Sequence, residues 1–405
     1  MILPALALAR LFRSRAAAWS ILVFAGSCAA VLGLADAGVA MLAVVAGAFV
    51  FLVVFFQVPR RGAVGWRRLV PLAFMPLIGW TLLRNIAAVG IDVDRTGAFL
   101  GSTLAVLSVA LAGAGRQRRD ADGFAAPLVG VYLGILVIAG SSELSQGWID
   151  CRADKCSVFG SLYQGVFENG NAISLIALAG LALVPRTRAR LPAVVLAAGF
   201  VFLLLASGAR TSLVGLALGA ITSLAIAWTS VRTRDSMLRP RPLIVFGLVT
   251  AVAVGGLLLA ARATDPNYLS GRGRLWIAAR ESDELFSVFG AGSDAWERIL
   301  EVQGLPDLST HSQYVLLAVA GGAIAVGLFV LGMGVTIASI EAPDRRDLAL
   351  TMLPAVSWLF VGLTEVAWNP ATVNVHTSLF LLMVLVSTMP HAAIQPQQRA
   401  VAASA

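Results

Sequence analysis

Charge is what this chain has least of. Only 13% of its 405 residues are Asp, Glu, Lys or Arg, and mean hydropathy is +0.85; soluble domains carry roughly 25% charged residues. That shortfall excludes a soluble globular fold and indicates an integral membrane protein. Lysine is nearly missing, since Lys155 alone stands among the 30 basic residues, a coding bias that says little about mechanism. Walker-type phosphate loops, HExxH and GxGxxG do not occur, so ATP, zinc-protease and dinucleotide chemistry have no support. No metal and no cofactor is expected. The isoelectric point near 10.4 raises nucleic-acid binding, but the arginines sit in short clusters between apolar runs, and membrane topology explains them better.

Long apolar runs are what the chain has in abundance. Runs near 16–34, 38–57, 69–83, 97–114, 124–140, 172–184, 192–207, 211–229, 243–261, 312–337, 350–363 and 376–389 each suit a transmembrane helix. The fold expected is an all-α integral membrane protein of about 12 spans, with 1–405 a single polytopic membrane domain. With the N-terminus inside, two thirds of the 30 basic residues but only about a quarter of the 22 acidic ones fall in inside segments. Both termini are thus expected in the cytoplasm and the cap loop 263–311 outside. Ala35-Asp36-Ala37 resembles a signal cleavage site, but cleavage would remove a span and invert that parity. Cys28, inside the first span, reads as a buried thiol. Helix centres hold almost no ionisable group: Arg84, Asp92, Arg210, Arg262 and Glu365 all fall at outer ends or in outer loops. That argues against an ion-coupled pump, which needs such groups at mid-membrane.

Four polar elements gather on the expected outer side. The first holds Cys151 and Cys156 around Arg152-Ala153-Asp154-Lys155, where oxidising conditions permit a disulfide. Closing that loop is worth about 2 kcal/mol in the chain-entropy view, and the stretch has too few ligands for zinc. It leads to Phe167-Glu168-Asn169-Gly170-Asn171, which serves either as a helix cap or as a sugar or phosphate contact. The second is the tight link Ser207-Gly208-Ala209-Arg210-Thr211-Ser212. Arg210 there is either a snorkelling arginine or an anion-binding one at a helix N-terminus, with Ser207, Thr211 and Ser212 as further donors.

The third is the polar insert itself. Ser270 is expected to cap a helix over 272–286 with Leu275, Ala279, Ser282 and Phe286 on one side and Arg280 meeting Asp283 or Glu284. Gly290 and Gly292 interrupt it, and Asp294 with Glu297 reads as a capping box for a second helix reaching about residue 302. Arg272 and Arg274 fall in the first turn, where they oppose the helix dipole unless an anion, or an acid of the insert, compensates. The fourth element, His311-Ser312-Gln313-Tyr314, opens the next span. His311 is the side chain type best matched to proton transfer near neutral pH; His376 begins the last span and His391 lies in the tail.

Taken together, Ser207-Gly208-Ala209-Arg210-Thr211 resembles the serine-arginine motif, Gly271-Arg272-Gly273-Arg274-Leu275-Trp276 the GRxxLW motif, and His311-Ser312-Gln313-Tyr314-Val315 the HNxYL motif of the bacterial O-antigen ligase and polymerase family. Phe286-Ser287-Val288-Phe289-Gly290-Ala291-Gly292 is similar to that family's LxGxG turn. The likeness is loose over the whole length and more specific in the second half. It departs at Ser312, where the family usually has asparagine, and in a short stretch between Trp276 and His311.

The resemblance implies a GT-C-type bundle in the bacterial inner (cytoplasmic) membrane, with an outward-facing cavity beneath an extracytoplasmic helical cap. It implies metal-independent, inverting transfer of a glycan from an undecaprenyl-diphosphate donor to a lipid, glycan or protein acceptor. On that basis His311 is the expected catalytic base, with Arg210, Arg272, Arg274 and Arg298 on the diphosphate. Asn171, Gln313 and Tyr314 are candidate glycan contacts. Ligase and repeat-unit polymerase both fit. Two rivals stand beside them: a lipid-linked glycan flippase without enzymatic activity, and a peptidoglycan-type polymerase using Asp265, Asp294 or Asp307 as base.

Overall fold

The computed structural model describes residues 66–91, 93–112, 129–130, 147–151, 155–165, 170–187, 190–233, 237–306, 308–372 and 375–388. The spans expected at 16–34, 38–57 and nearly all of 124–140, together with Cys28, Asn169, Asp307 and His391, lie outside the described residues.

Wherever an apolar run falls on described residues it forms a helix. These are α1 (Met75–Val89, entered through the 3₁₀ stretch Trp66–Phe74), α2 (Val93–Ala112), α3 (Gly170–Leu183), α4 (Arg190–Ala206), α5 (Arg210–Trp228) and α6 (Pro242–Ala261). Two short helices, α7 (Tyr268–Glu281) and α8 (Ala295–Val302), occupy the polar insert. The chain then continues through α9 (Gln313–Ala338), α10 (Arg345–Val361) and α11 (Val375–Thr388). Four stretches, Val70–Val89, Arg210–Trp228, Pro242–Ala261 and Gln313–Ala338, are long and apolar enough to cross a membrane. Helices α5 and α6 are apolar all round yet only 33% buried each, which water would penalise and a hydrocarbon surrounding would not. Their outer faces carry Val214, Ile221 and Leu224, and Leu243, Val254 and Leu258. Helix α9, 67% buried, is the centre of the bundle.

Two packing devices set the frame of the end that carries the insert. On α5, Gly215 and Gly219 are four residues apart and lie against Val361 and Ser357 of α10; a Cβ on either would overlap those residues. Without a hydrophobic drive between apolar helices in lipid, such small-residue contacts let backbones approach and fix register. They bring the start of α5 beside the end of α10.

The second device is a break in α9. Gly322 has φ 70° and ψ −167°, so the helical ladder opens there. The loop after α7 fills the gap: Ala291 and Gly292 amides donate to the Val319 and Ala320 carbonyls at 2.9 and 3.0 Å, while Ser287 and Val288 carbonyls accept from Ala323 and Ile324 at 3.0 and 3.3 Å. Gly290 touches the Gly321 and Gly322 backbone, where a Cβ has no room. Helix α1 clamps the join, with Trp80 Nε1 donating to Gly321 O at 2.7 Å and Arg84 Nη2 to Gly290 O at 2.6 Å. A kink in a transmembrane helix requires its freed polar groups to be satisfied by protein, and Ser287–Gly292 satisfies them.

The insert differs from its expected form in three respects. Its first helix begins at Tyr268 rather than 272, without a side-chain cap, and ends at Glu281, because Asp283 adopts φ 62°. Phe286 is therefore exposed and Leu285 is buried in its stead. Arg280 does not meet Asp283 or Glu284; its Nη1 donates to the Ala261 and Ala263 carbonyls at 3.2 and 3.0 Å, satisfying the end of α6. Asp294 precedes α8 as expected but in helical backbone geometry and without a cap hydrogen bond, so the capping box is not formed.

Two short antiparallel strands, β1 (Trp148–Asp150) and β2 (Ser161–Tyr163), pair before α3, and at the opposite end of α5 the short pair β3 (Val231–Arg232) and β4 (Leu238–Arg239) bridges to Ala342. Arg345 stacks 4.9 Å over the Trp228 ring, and Arg239 Nε donates to Ala338 O at 2.8 Å.

Candidate active site

Residues from five separate elements converge between the insert and the bundle. Helix α5 contributes Arg210 and Thr211 in its first turn, α3 contributes Asn171 and α7 contributes Arg272 and Arg274. The segment before α9 contributes His311, and the segment after α10 contributes Glu365. A cavity of about 370 Å³ is lined by Lys155, Asn171, Arg210, Thr211, Arg272, Arg274 and His311, with Leu275, Leu305, Pro306 and Leu308 as an apolar wall. The cations Lys155, Arg210, Arg272 and Arg274 are on its wall and no carboxylate is among its lining residues, so the cavity is built for an anion.

Behind that wall, in contact with Arg272, Thr211 and Asn171, lies the buried carboxylate of Glu365, whose side chain is 5% exposed. Oε1 pairs with Arg272 Nη2 and accepts from Thr211 Oγ1 at 3.4 Å; Oε2 accepts from Asn171 Nδ2 at 3.3 Å and lies 3.6 Å from His311 Nδ1. Asn171 Oδ1 in turn accepts from Lys155 Nζ at 2.9 Å. Arg272 Nε is buried without a hydrogen-bond partner among the described residues, which leaves one side of the guanidinium fork unfilled.

Hydrogen bonds tie the framework around these groups together. Trp276, fully buried, donates from Nε1 to Thr310 O at 2.9 Å, tying the arginine helix to the residue before His311. His311 itself has φ 48°, a left-handed conformation that costs a side chain bearing a Cβ. Ser312 then caps α9, accepting from Val315 N at 3.4 Å. Gln313 holds the Glu365 segment from both sides, its amide donating to the Gly362 and Glu365 carbonyls while its Oε1 accepts from Ala367 N and Trp368 N at 3.0 and 2.7 Å. The Trp368 ring stacks on Phe380 at 4.5 Å and meets the edge of Phe74.

Of the residues singled out in the sequence, His311, Arg210, Arg272, Arg274 and Asn171 share the cavity. Gln313 and Tyr314 do not line it: Gln313 is spent on the clamp just described, and Tyr314, wholly buried, donates to Leu359 O at 2.9 Å. Arg298 lies in a separate surface cleft with Glu281 and Glu284, donating to Ala291 O at 3.0 Å. Of the three hydroxyls expected around Arg210 only Thr211 faces the site, since Ser207 bonds Leu204 O and Ser212 bonds Ser174. Because α7 starts four residues early, Arg272 falls past its first turn, and the acid that compensates it comes from outside the insert. Cys151 and Cys156 form a disulfide with Cα atoms 4.7 Å apart, closing the loop that carries Lys155.

Sequence reasoning missed Glu365 and Lys155 as site residues. Glu365 had a usable signal, being a lone carboxylate between the apolar spans at 350–363 and 376–389. Among the described residues there is no group of His, Cys, Asp or Glu able to hold a metal. No family model, no curated protein and no solved structure matches this chain.

Proposed function

We propose that this protein is a membrane glycosyltransferase of the O-antigen ligase type, moving a glycan from an undecaprenyl-diphosphate donor to a hydroxyl acceptor at the outer face of a bacterial inner membrane. A bundle of about twelve spans with both termini in the cytoplasm goes with this reading. The observation that carries it is the shared cavity, where Arg210, Arg272 and His311, from three motifs far apart in sequence, line one space. The resemblance of those motifs supplies the reaction class.

In this reading Arg272, with Arg210 and Arg274 beside it, offers its guanidinium to the diphosphate oxygens. Arginine suits the task because it stays charged and binds phosphate through paired donors. The acceptor hydroxyl attacks the anomeric carbon from the face opposite the diphosphate. Its oxygen forms the new glycosidic bond, the carbon–oxygen bond to phosphate breaks, and the electron pair leaves on the undecaprenyl diphosphate. His311 takes the hydroxyl proton on Nε2, since Nδ1 is directed at Glu365. A carboxylate base is less well supported: Glu365 is engaged by Arg272, Thr211 and Asn171, and Asp265 and Asp294 are not on the cavity wall.

Purified wild type and His311→Ala, given a lipid-diphosphate glycan and acceptor, test this directly. Loss of the base is expected to lower turnover by about 10² to 10⁴ with donor binding largely kept. Transfer near the wild-type rate would overturn the assignment. In the host, loss of attachment with long chains kept on the carrier lipid identifies a ligase, and accumulation of single repeats a polymerase.

A further inference from the structure

Glu365 takes no proton and touches no substrate in the chemistry above, yet its placement is costly and specific. Burying a carboxylate under a ring of cations is stable only if it is paired and hydrogen-bonded. Here Oε1 meets Arg272 and Thr211, and Oε2 meets Asn171 and faces His311. The hold on Arg272 runs through Nη2 alone, with Nε left without a partner. A diphosphate presents several oxygens and fills a guanidinium fork on two donors, a stronger arrangement than a one-point contact.

We propose that Glu365 is a resident counter-anion: it neutralises and orders Arg272 while the cavity is empty, and an incoming diphosphate displaces it. The proposal rests on the diphosphate reading of the cavity given above. Displacement does not strand the carboxylate, because Thr211 and Asn171 remain on it and His311 Nδ1 is 3.6 Å away. The carboxylate freed from Arg272 is then left to face the imidazole at Nδ1, which orients Nε2 towards the acceptor once the donor is seated. Glu365 is in this sense a positioning residue that links donor binding to proton acceptance.

Two measurements on the purified full-length protein test it. The first needs no ligand: arginine modification by phenylglyoxal, followed by peptide mass spectrometry, with the exposed Arg274 as internal reference. In wild type Arg272 should react far more slowly than Arg274, and in Glu365→Gln its rate should rise roughly tenfold towards that of Arg274. An unchanged rate overturns the counter-anion role. The second is the affinity for inorganic pyrophosphate, which should become about tenfold tighter in Glu365→Gln, and only where Arg272 is present. Weaker binding, or equal tightening in an Arg272→Gln background, overturns the displacement. If wild type binds no pyrophosphate while Arg272 is still unmasked by Glu365→Gln, the diphosphate reading and the displacement fail and the counter-anion role stands. With donor and acceptor supplied, Glu365→Gln should lower both kcat and donor KM, a split that a mere folding defect does not produce. Should Glu365→Gln not fold, Glu365→Asp withdraws the carboxylate by one methylene and is expected to move every readout in the same direction, less far.

Discussion

His311 combines a functional side chain with an unfavourable backbone. A φ of 48° is ordinary for glycine and costs other residues about 1 kcal/mol or more, and the surrounding bonds from Trp276 to Thr310 and from Ser312 to Val315 hold it there. The strain has a testable sign. His311→Gly should be more stable than His311→Ala by about 1 kcal/mol in thermal or denaturant unfolding, reversing the usual order of the two residues. If alanine is the more stable, the left-handed geometry is wrong. Trp276→Phe isolates the other support: the ring volume is largely kept while the bond to Thr310 O is lost. A stability loss of about 1 kcal/mol should accompany a clear fall in kcat, with donor KM little changed, because the base shifts while the arginines stay.

At the scale of elements, the break in α9 and the Ser287–Gly292 loop are one device. Gly290→Ala forces a methyl group into the backbone of Gly321 and Gly322 at a position with φ 73°, so a destabilisation of about 2 to 3 kcal/mol is expected, measured as a lowered unfolding midpoint. A neutral result would mean that the loop is not seated in the break. The helices themselves were legible in the sequence, because a run such as 243–261 has one physical solution in lipid and α6 occupies 242–261. The cap was legible only in outline. Asp283 turning left-handed ended α7 early, and Arg280 found the carbonyls of α6 before any neighbouring acid. Motif residues were found in the sequence because chemistry marks them, whereas Glu365 joins the site through α10 packing on Gly215 and Gly219, a contact that hydropathy does not register. Gln313 shows the converse: its type and position read as a ligand contact, while its surroundings make it a clamp.

For the whole molecule, the geometry ties two chemical ends to the two ends of α5. Arg210 opens that helix in the cavity with Arg272, Arg274 and Lys155, and Trp228 closes it beneath Arg345, near the β3–β4 turn with Arg232 and Arg239. Nineteen residues separate the cavity end from the other, about 28 Å of helix and close to one hydrocarbon thickness. Both ends of α5 carry arginines, so this helix alone does not orient the chain; the expected orientation rests on the excess of basic residues in the inside segments as a whole. Cysteine accessibility decides the matter. In a background with Cys28, Cys151 and Cys156 replaced by serine, Arg274→Cys should react with a membrane-impermeant maleimide in intact spheroplasts, and Arg346→Cys only after permeabilisation. The opposite pattern would put the cavity in the cytoplasm, where a glycan already exported on its carrier lipid is out of reach, and the transferase reading would fall with it. Labelling of both residues in intact cells would instead deny that α5 spans the bilayer. Pre-incubation with pyrophosphate sharpens the outcome, because an anion held by Arg210 and Arg272 should slow the maleimide at position 274 and leave position 346 untouched.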